Sequence, residues 1–171
     1  MTAHSLILFR HAKAEPPRTG QSDTDRRLSD RGRSDATAAG AWLRANDLFP
    51  GLVLCSPARR TRETWAAAVA GAAAVDEAPV SYVPSLYSEG FDATIELLAG
   101  LPDEIGTVLV LGHNPTLSVV SAILDPAGNG SGLRTAGLAV HAVESWARCG
   151  RGLAPLVRAH TPRGTADSVG R

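Results

Sequence analysis

The chain is poor in cysteine, has no excess of either charge and contains no long apolar segment. Only Cys55 and Cys149 are cysteines among 171 residues, so neither a disulfide framework nor a cysteine-rich metal site is expected. The 17 basic and 17 acidic residues balance. A balanced chain has no global field to steer a polyanion, and we expect no nucleic-acid partner. The apolar runs are far shorter than the roughly 20 residues that cross a bilayer, and we expect no membrane partner.

Several further signals are missing. The N-terminus lacks the apolar region of a signal peptide, and we expect a cytoplasmic protein. No GxxxxGK[ST] motif occurs, which excludes a P-loop. A cysteine phosphatase would need its loop arginine where this chain has Thr61, so Cys55 is interpreted as a buried strand residue. The sequence contains no carboxylate cluster typical of Mg²⁺ or Zn²⁺ ligands, and no cofactor is expected.

Three short runs of consecutive aliphatic residues are the clearest strand signals: Leu6–Phe9, Leu52–Cys55 and Val108–Leu111. Runs that do not alternate with polar residues are typical of strands buried on both faces of a parallel sheet. Helical patterns lie between them. Strands that alternate with helices predict an α/β fold with a mostly parallel sheet.

The helix signals include candidate caps. Ser29 is a candidate N-cap of the first helix, and Ser56 of the second, with Pro57 at its first position and Gly71 beyond its end. The segments "FDATIELLAGLP" and "NPTLSVVSAILDP" predict two more helices, and "VSYVPS" a weak strand. Near the end, "GLAVHAV" and "APLVRAH" predict an antiparallel edge pair. We expect one domain over residues 1–162 and a flexible C-terminal tail over 163–171.

Each aliphatic run ends in polar residues. Arg10 and His11 follow the first run, "SPARR" with Arg59 and Arg60 follows the second, and "GHN" with His113 follows the third. The carboxyl ends of parallel strands meet at one edge of the sheet, so these groups are expected to converge. Guanidinium groups and helix N-termini bind phosphate, and histidine can act as a nucleophile. The pattern therefore predicts a phosphoryl site.

The four motifs "RHAKAE", "LSDRG", "SPARRTRET" and "GHNP", in this order, resemble the histidine phosphatase superfamily, which includes the phosphoglycerate mutases. The whole series is most similar to the small SixA-type phosphohistidine phosphatases. The resemblance extends from about Leu6 to Pro162. It implies a three-layer α/β/α sandwich of the phosphoglycerate mutase type, with a mostly parallel sheet and an antiparallel edge strand, and a metal-independent hydrolase.

The resemblance also implies roles for individual residues. His11 matches the histidine that takes up the phosphoryl group, and Arg10 matches its neighbour in the phosphate pocket. Arg60, rather than Arg59, matches the pocket arginine. His113 matches the second histidine, which contacts the transferring phosphoryl group. These four residues are the expected catalytic and phosphate-binding set.

The sequence departs from many relatives at three points. Ala12 follows the Arg-His pair where a glycine is common, and the chain has little room for the long lid insertions of mutases. The sequence does not assign the general acid, because Glu89 is either that acid or an exposed loop residue. Lys13 either lines the pocket rim or is simply exposed to solvent.

The expected function is hydrolysis of a phosphoryl group through a covalent phosphohistidine at His11, with protein phosphohistidine as the substrate. A phosphatase of small phosphomonoesters and a mutase are the alternatives within the same class. A non-catalytic phosphoryl-binding module is an alternative of another class. The expected partner is a phosphorylated protein or a small phosphorylated molecule, and the chain is expected to be a monomer.

Overall fold

A six-stranded sheet forms the centre of the molecule in the computed structural model, which describes residues 4–74, 78–128 and 132–162. Its strands are β1 (His4–Arg10), β2 (Leu52–Cys55), β3 (Val80–Tyr82), β4 (Thr107–Gly112), β5 (Leu138–Val143) and β6 (Leu156–His160). Their spatial order is β3-β2-β4-β1-β5-β6. The three aliphatic runs thus form β2 and the central strands β1 and β4, as the sequence predicts.

The strand directions agree with the predicted parallel sheet and its antiparallel edge pair. Strands β1 to β4 are mutually parallel where they pair, and β5 is antiparallel to both of its neighbours, β1 and β6. The predicted antiparallel edge pair is therefore confirmed. Arg10 lies opposite Gly112 in the β1–β4 register, so the polar residues that follow these two strands emerge side by side.

In the described part of the chain, five α-helices cover the two faces of the sheet: α1 (Asp30–Ala45), α2 (Arg59–Ala72), α3 (Ser85–Ser88), α4 (Phe91–Ala99) and α5 (Thr116–Leu124). Side chains of β1 alternate between two buried clusters. Ile7 and Phe9 pack with residues of α1 and α2, and Leu6 and Leu8 pack with residues of α4 and α5. This arrangement is the expected three-layer sandwich, and it explains why β1 has no polar face.

The start and the end of α2 differ from the sequence prediction. Ser29 caps α1 as predicted, accepting a hydrogen bond from Gly32 N at 3.1 Å. Ser56 does not cap α2, which begins at Arg59 with Ala58 at the N-cap and no side-chain cap bond. The prediction of Ser56 as the cap is wrong because its hydroxyl contacts His113, which follows β4.

Gly71 lies inside α2 and not beyond its end. A Cβ atom there would sit 1.9 Å from the carbonyl oxygen of Thr37, and one at Gly40 would sit 1.8 Å from that of Ala68. Both distances are far shorter than real Cβ contacts. The two glycines therefore allow the backbones of α1 and α2 to approach closely, and packing overrides the usual preference of glycine for helix ends.

The proposed tail over residues 163–171 falls outside the described residues. Within the described residues, no helix has the length and apolar character needed to cross a membrane.

Candidate active site

His11 lies immediately beyond β1 and is fixed by its backbone on two sides. Its N–H donates to the carbonyl of Gly112 at 3.1 Å, and its own carbonyl accepts from Ala136 N at 3.2 Å. The next amide, Ala12 N, donates to Thr64 Oγ1 of α2 at 3.0 Å. Contacts from β4, α2 and the segment before β5 thus determine where the imidazole stands.

One nitrogen of the His11 ring is available for chemistry. Nδ1 lies 2.8 Å from the carbonyl oxygen of Ala12. Because a carbonyl oxygen only accepts, Nδ1 carries the proton and the neutral ring keeps its lone pair on Nε2. Burial, followed by the charges of Arg60 and Arg10, lowers the pKa of His11 to about 4. The ring is therefore neutral and nucleophilic at neutral pH.

His113 follows β4 and faces His11, with 5.2 Å between the ring centroids. Its Nδ1 accepts from a guanidinium nitrogen of Arg60 at 3.2 Å, and its Nε2 lies 2.8 Å from Ser56 Oγ. An arginine only donates, so the neutral ring carries its proton on Nε2 and donates to Ser56. Burial and the Arg60 charge lower the pKa of His113 to about 3.

Arg60 projects from the first turn of α2 and is almost fully buried. Its two terminal nitrogens donate to Asp23, at 2.8 Å to the backbone carbonyl and at 3.0 Å to Oδ2. The second of these nitrogens also contacts His113 Nδ1. The structure therefore brings Arg60 to the two histidines. Arg59, its neighbour, instead forms an ion pair with Glu63 at 2.7 Å on the exposed side of the helix.

Arg10, the last residue of β1, supplies a second cation. Its guanidinium donates to the carbonyl of Leu133 at 2.9 Å, and no carboxylate in the described part of the chain forms an ion pair with it. Its Nε is buried and has no hydrogen-bond partner among the described residues. Burial lowers the pKa of this guanidinium and Coulomb repulsion from it lowers that of His11. Such a cation favours binding of an anion beside it.

Asp23 and Tyr87 are site residues that the sequence analysis missed. Asp23 lies in a short 3₁₀ helix, Asp23–Asp25, and its carboxylate accepts from Arg26 and from Tyr87 Oη, each at 3.0 Å. The Tyr87 ring packs edge-on against His113, with 5.5 Å between centroids. Hydrogen bonds from Arg26, Tyr87 and Arg60 lower the pKa of Asp23 to about 2. Nothing local marks Asp23, because the loop before α1 reads only as exposed and polar. Tyr87 lies in the short helix α3, far along the chain from the carboxylate that it contacts.

Glu89 and Lys13 are less involved than the four principal residues. Glu89 follows α3 and is exposed, and its side chain has no hydrogen bond or ion pair among the described residues. Lys13 is also exposed, and its charge acts on the buried carboxyl of Asp35 in α1. Neither side chain is bonded to His11. The roles of Glu89 as the general acid and of Lys13 as a rim residue stay predictions.

Cys55 is the last residue of β2, lies in the core and is a weak nucleophile. Burial raises the pKa of its thiol to about 12, and the thiol donates to the carbonyl of Ser56. A protonated thiol is a weak nucleophile. Within residues 4–74, 78–128 and 132–162, no group of three or more His, Cys, Asp or Glu side chains could hold a metal ion.

Comparison with known proteins identifies the family. A sequence profile of the histidine phosphatase superfamily (branch 1) matches residues 6–86. The SixA protein of Nakamurella multipartitia is 32% identical in sequence, with a TM-score of 0.84, and the match covers 96% of this chain and 99% of that one. The chain belongs to the histidine phosphatase superfamily. This membership supports a phosphatase, and the pair of facing histidines beside Arg10 and Arg60 is consistent with it.

Two further proteins are similar to this chain along nearly their whole length. A protein of Mycobacterium leprae is 38% identical over an alignment 167 positions long, which covers 91% of this chain and 100% of that protein. The SixA protein of Agrobacterium tumefaciens is 26% identical, with a TM-score of 0.79, over 94% of this chain and 99% of that one. These similarities place the chain among the SixA-type members of the superfamily, as the sequence motifs indicate.

Proposed function

We propose that this protein is a phosphohistidine phosphatase in which His11 forms a covalent phosphohistidine. The observation that carries the proposal is the Nδ1–H bond of His11 to the Ala12 carbonyl, 2.8 Å long, in a ring whose pKa is about 4. Together they leave a lone pair on Nε2 at neutral pH. A neutral imidazole held in one orientation needs no separate base before it attacks phosphorus.

In the proposed first step, the Nε2 lone pair of His11 forms a bond to phosphorus while the bond from phosphorus to the leaving group breaks. Negative charge on the phosphoryl oxygens meets the guanidinium groups of Arg10 and Arg60. Stabilisation of that charge by fixed donors is the main contribution that an enzyme makes to phosphoryl transfer. The cations belong to side chains, so the proposed step uses no metal ion.

His113 donates a hydrogen bond to the same phosphoryl oxygens once its ring has taken up a proton. In the ligand-free site its Nδ1 accepts from Arg60 and offers no donor. A phosphoryl dianion between the rings would favour the protonated form of His113, which then donates from Nδ1. In the second step, water attacks phosphorus, the bond to Nε2 of His11 breaks, and inorganic phosphate leaves with the proton released by water.

The leaving group indicates the substrate class. Asp23 is ionised, with a pKa of about 2, and the exposed Glu89 side chain forms no hydrogen bond or ion pair with the site residues described. An alkoxide leaving group needs a strong acid nearby, whereas the imidazole of a phosphohistidine is a far better leaving group. Phosphohistidine on a protein is therefore the substrate that this site suits best, and SixA relatives support it. A mutase would have to exclude water, and the chain has no lid insertion to do so.

The test is release of inorganic phosphate from a phosphohistidine-bearing protein and, in parallel, from an aryl phosphate. We expect release from phosphohistidine by the wild-type protein and none above background by His11→Ala. Release from the aryl phosphate alone would support a phosphomonoesterase. Wild-type turnover by His11→Ala would exclude the covalent mechanism, and no release from either substrate would favour a phosphoryl-binding module.

A further inference from the structure

The guanidinium group of Arg60 has two edges, and Asp23 occupies one of them. The two terminal nitrogens donate to the Asp23 backbone carbonyl at 2.8 Å and to its Oδ2 at 3.0 Å. In a planar guanidinium, these two donors form the end-on edge. A single residue therefore holds that edge with two acceptors, one of which belongs to the backbone.

The other edge of Arg60 faces the histidines. It consists of Nε–H and the remaining hydrogen of one terminal nitrogen, and this nitrogen lies 3.2 Å from His113 Nδ1. The bonds that Arg60 makes to described residues use its two terminal nitrogens, and Nε makes none of them. This edge has the parallel pair of N–H groups that matches two oxygens of a phosphoryl group. Protonation of His113 beside a phosphoryl group would release the N–H that its Nδ1 accepts.

Asp23 is itself held in place from two further directions. Arg26 donates to Oδ1 at 3.0 Å, and Tyr87 Oη donates to Oδ2 at 3.0 Å. The Arg60 side chain is 8% exposed and that of Asp23 is 51% exposed, so the pair joins a buried cation to the rim of the pocket. A bond of this kind contributes little to stability when it lies fully in solvent, but here it orients a buried group.

We propose that Asp23 is a positioning residue that holds the end-on edge of Arg60, so that the other edge meets the phosphoryl group beside His11 and His113. This inference rests on the proposed phosphatase function. Asp23 makes no bond to phosphorus and transfers no proton in this role. It acts only through the orientation of Arg60, and its three donors keep its carboxylate an acceptor.

The experiment compares Asp23→Ala with Asp23→Asn, using kcat/KM and the inhibition constant of inorganic phosphate. For Asp23→Ala we expect kcat/KM to fall and phosphate binding to weaken by about 10- to 100-fold, the size of effect that misplacement of a catalytic group produces. In Asp23→Asn the amide oxygen can still accept from Arg60, so phosphate should bind at least as tightly as in the wild type. Equal loss in both variants would overturn the inference.

Two controls separate orientation from general damage. Asp25→Asn removes a carboxylate from the same 3₁₀ helix at an exposed position whose side chain has no bond among the described residues, and it should change nothing. Arg60→Lys replaces the two-edged guanidinium with a single ammonium, so a second change, Asp23→Ala, should then cost little. An undiminished cost in the Arg60→Lys background would show that Asp23 acts independently of Arg60.

The readouts distinguish this inference from the proposed function. Inorganic phosphate binding can be followed by the shifts of the histidine signals, whether or not the protein turns over any substrate. A protein that binds phosphate but hydrolyses neither substrate contradicts the proposed function and still tests Asp23. An active wild-type protein whose Asp23→Ala variant has unchanged phosphate binding and kcat/KM contradicts only the role of Asp23.

Discussion

The hydroxyl of Ser56 lies 2.8 Å from Nε2 of His113 and holds that ring from the side opposite Arg60. Ser56 follows β2 directly, and His113 follows β4, the strand that pairs with β2. The pairing of two parallel strands thus brings a small hydroxyl residue to the second histidine. The bond holds the Nε2 side of the His113 ring, whereas the Arg60 donor at Nδ1 determines which nitrogen carries the proton.

Replacing Ser56 with alanine should therefore weaken activity without destroying the site. A typical hydrogen bond contributes about 0.5–1.5 kcal/mol, so we expect kcat/KM to fall by roughly two- to twelvefold. The matched control is Ser121→Ala, which removes a similar bond, 2.9 Å long, from the buried His141. Steady-state kinetics with both variants is the measurement. Unchanged kinetics in Ser56→Ala, or equal losses in both variants, would contradict this assignment.

The two site histidines should stay neutral far below the usual pKa of histidine. NMR titration should show His11 titrating near 4 and His113 near 3 in the ligand-free protein, because both rings are buried beside arginines. Inorganic phosphate should raise both pKa values, since a neighbouring anion favours the charged ring. Chloride at equal ionic strength should leave both pKa values unchanged. Titration of both rings near 6.5 without phosphate would show that the site does not hold them as described.

The same shifts have a consequence for folding stability. Between pH 6.5 and about 4 the unfolded chain binds protons at these two positions, whereas the folded protein does not. The free energy of unfolding should therefore decrease as the pH falls through this range. Saturating phosphate should reduce that dependence, because it raises the folded-state pKa values.

The contact between α1 and α2 should be sensitive to a single added methyl group. At Gly40 a Cβ atom would lie 1.8 Å from the Ala68 carbonyl oxygen, and backbone cannot move aside as a flexible side chain can. We expect Gly40→Ala to lower the free energy of unfolding by about 1–3 kcal/mol, although alanine favours helix. Chemical denaturation is the measurement.

Gly106→Ala is the control for this helix contact. A Cβ atom there would have nothing within 4 Å, so its effect should stay within about 0.5 kcal/mol. If Gly40→Ala were as stable as the wild type, α1 and α2 would have to lie farther apart than the structure places them.

Local sequence predicted the strands well, for a physical reason. A strand buried on both faces must be continuously apolar, so its ends are sharp in the sequence, and the residues just beyond β1 and β4 could be named in advance. The start of α2 could not be predicted in this way. Ser56 has the side chain of a good helix cap, but its bond to His113 comes from a residue 57 positions away in the chain.

The sequence by itself determined the alternation of strands and helices, the superfamily and the convergence of His11, Arg10, Arg60 and His113, because these depend on local patterns and on the geometry common to parallel sheets. Only the tertiary structure decided which nitrogen of each ring carries the proton and which edge of Arg60 is held. Those properties arise from Ala12 O, the Arg60 guanidinium and Asp23. Hydrogen bonds between distant segments depend on distance and angle, which no local pattern records.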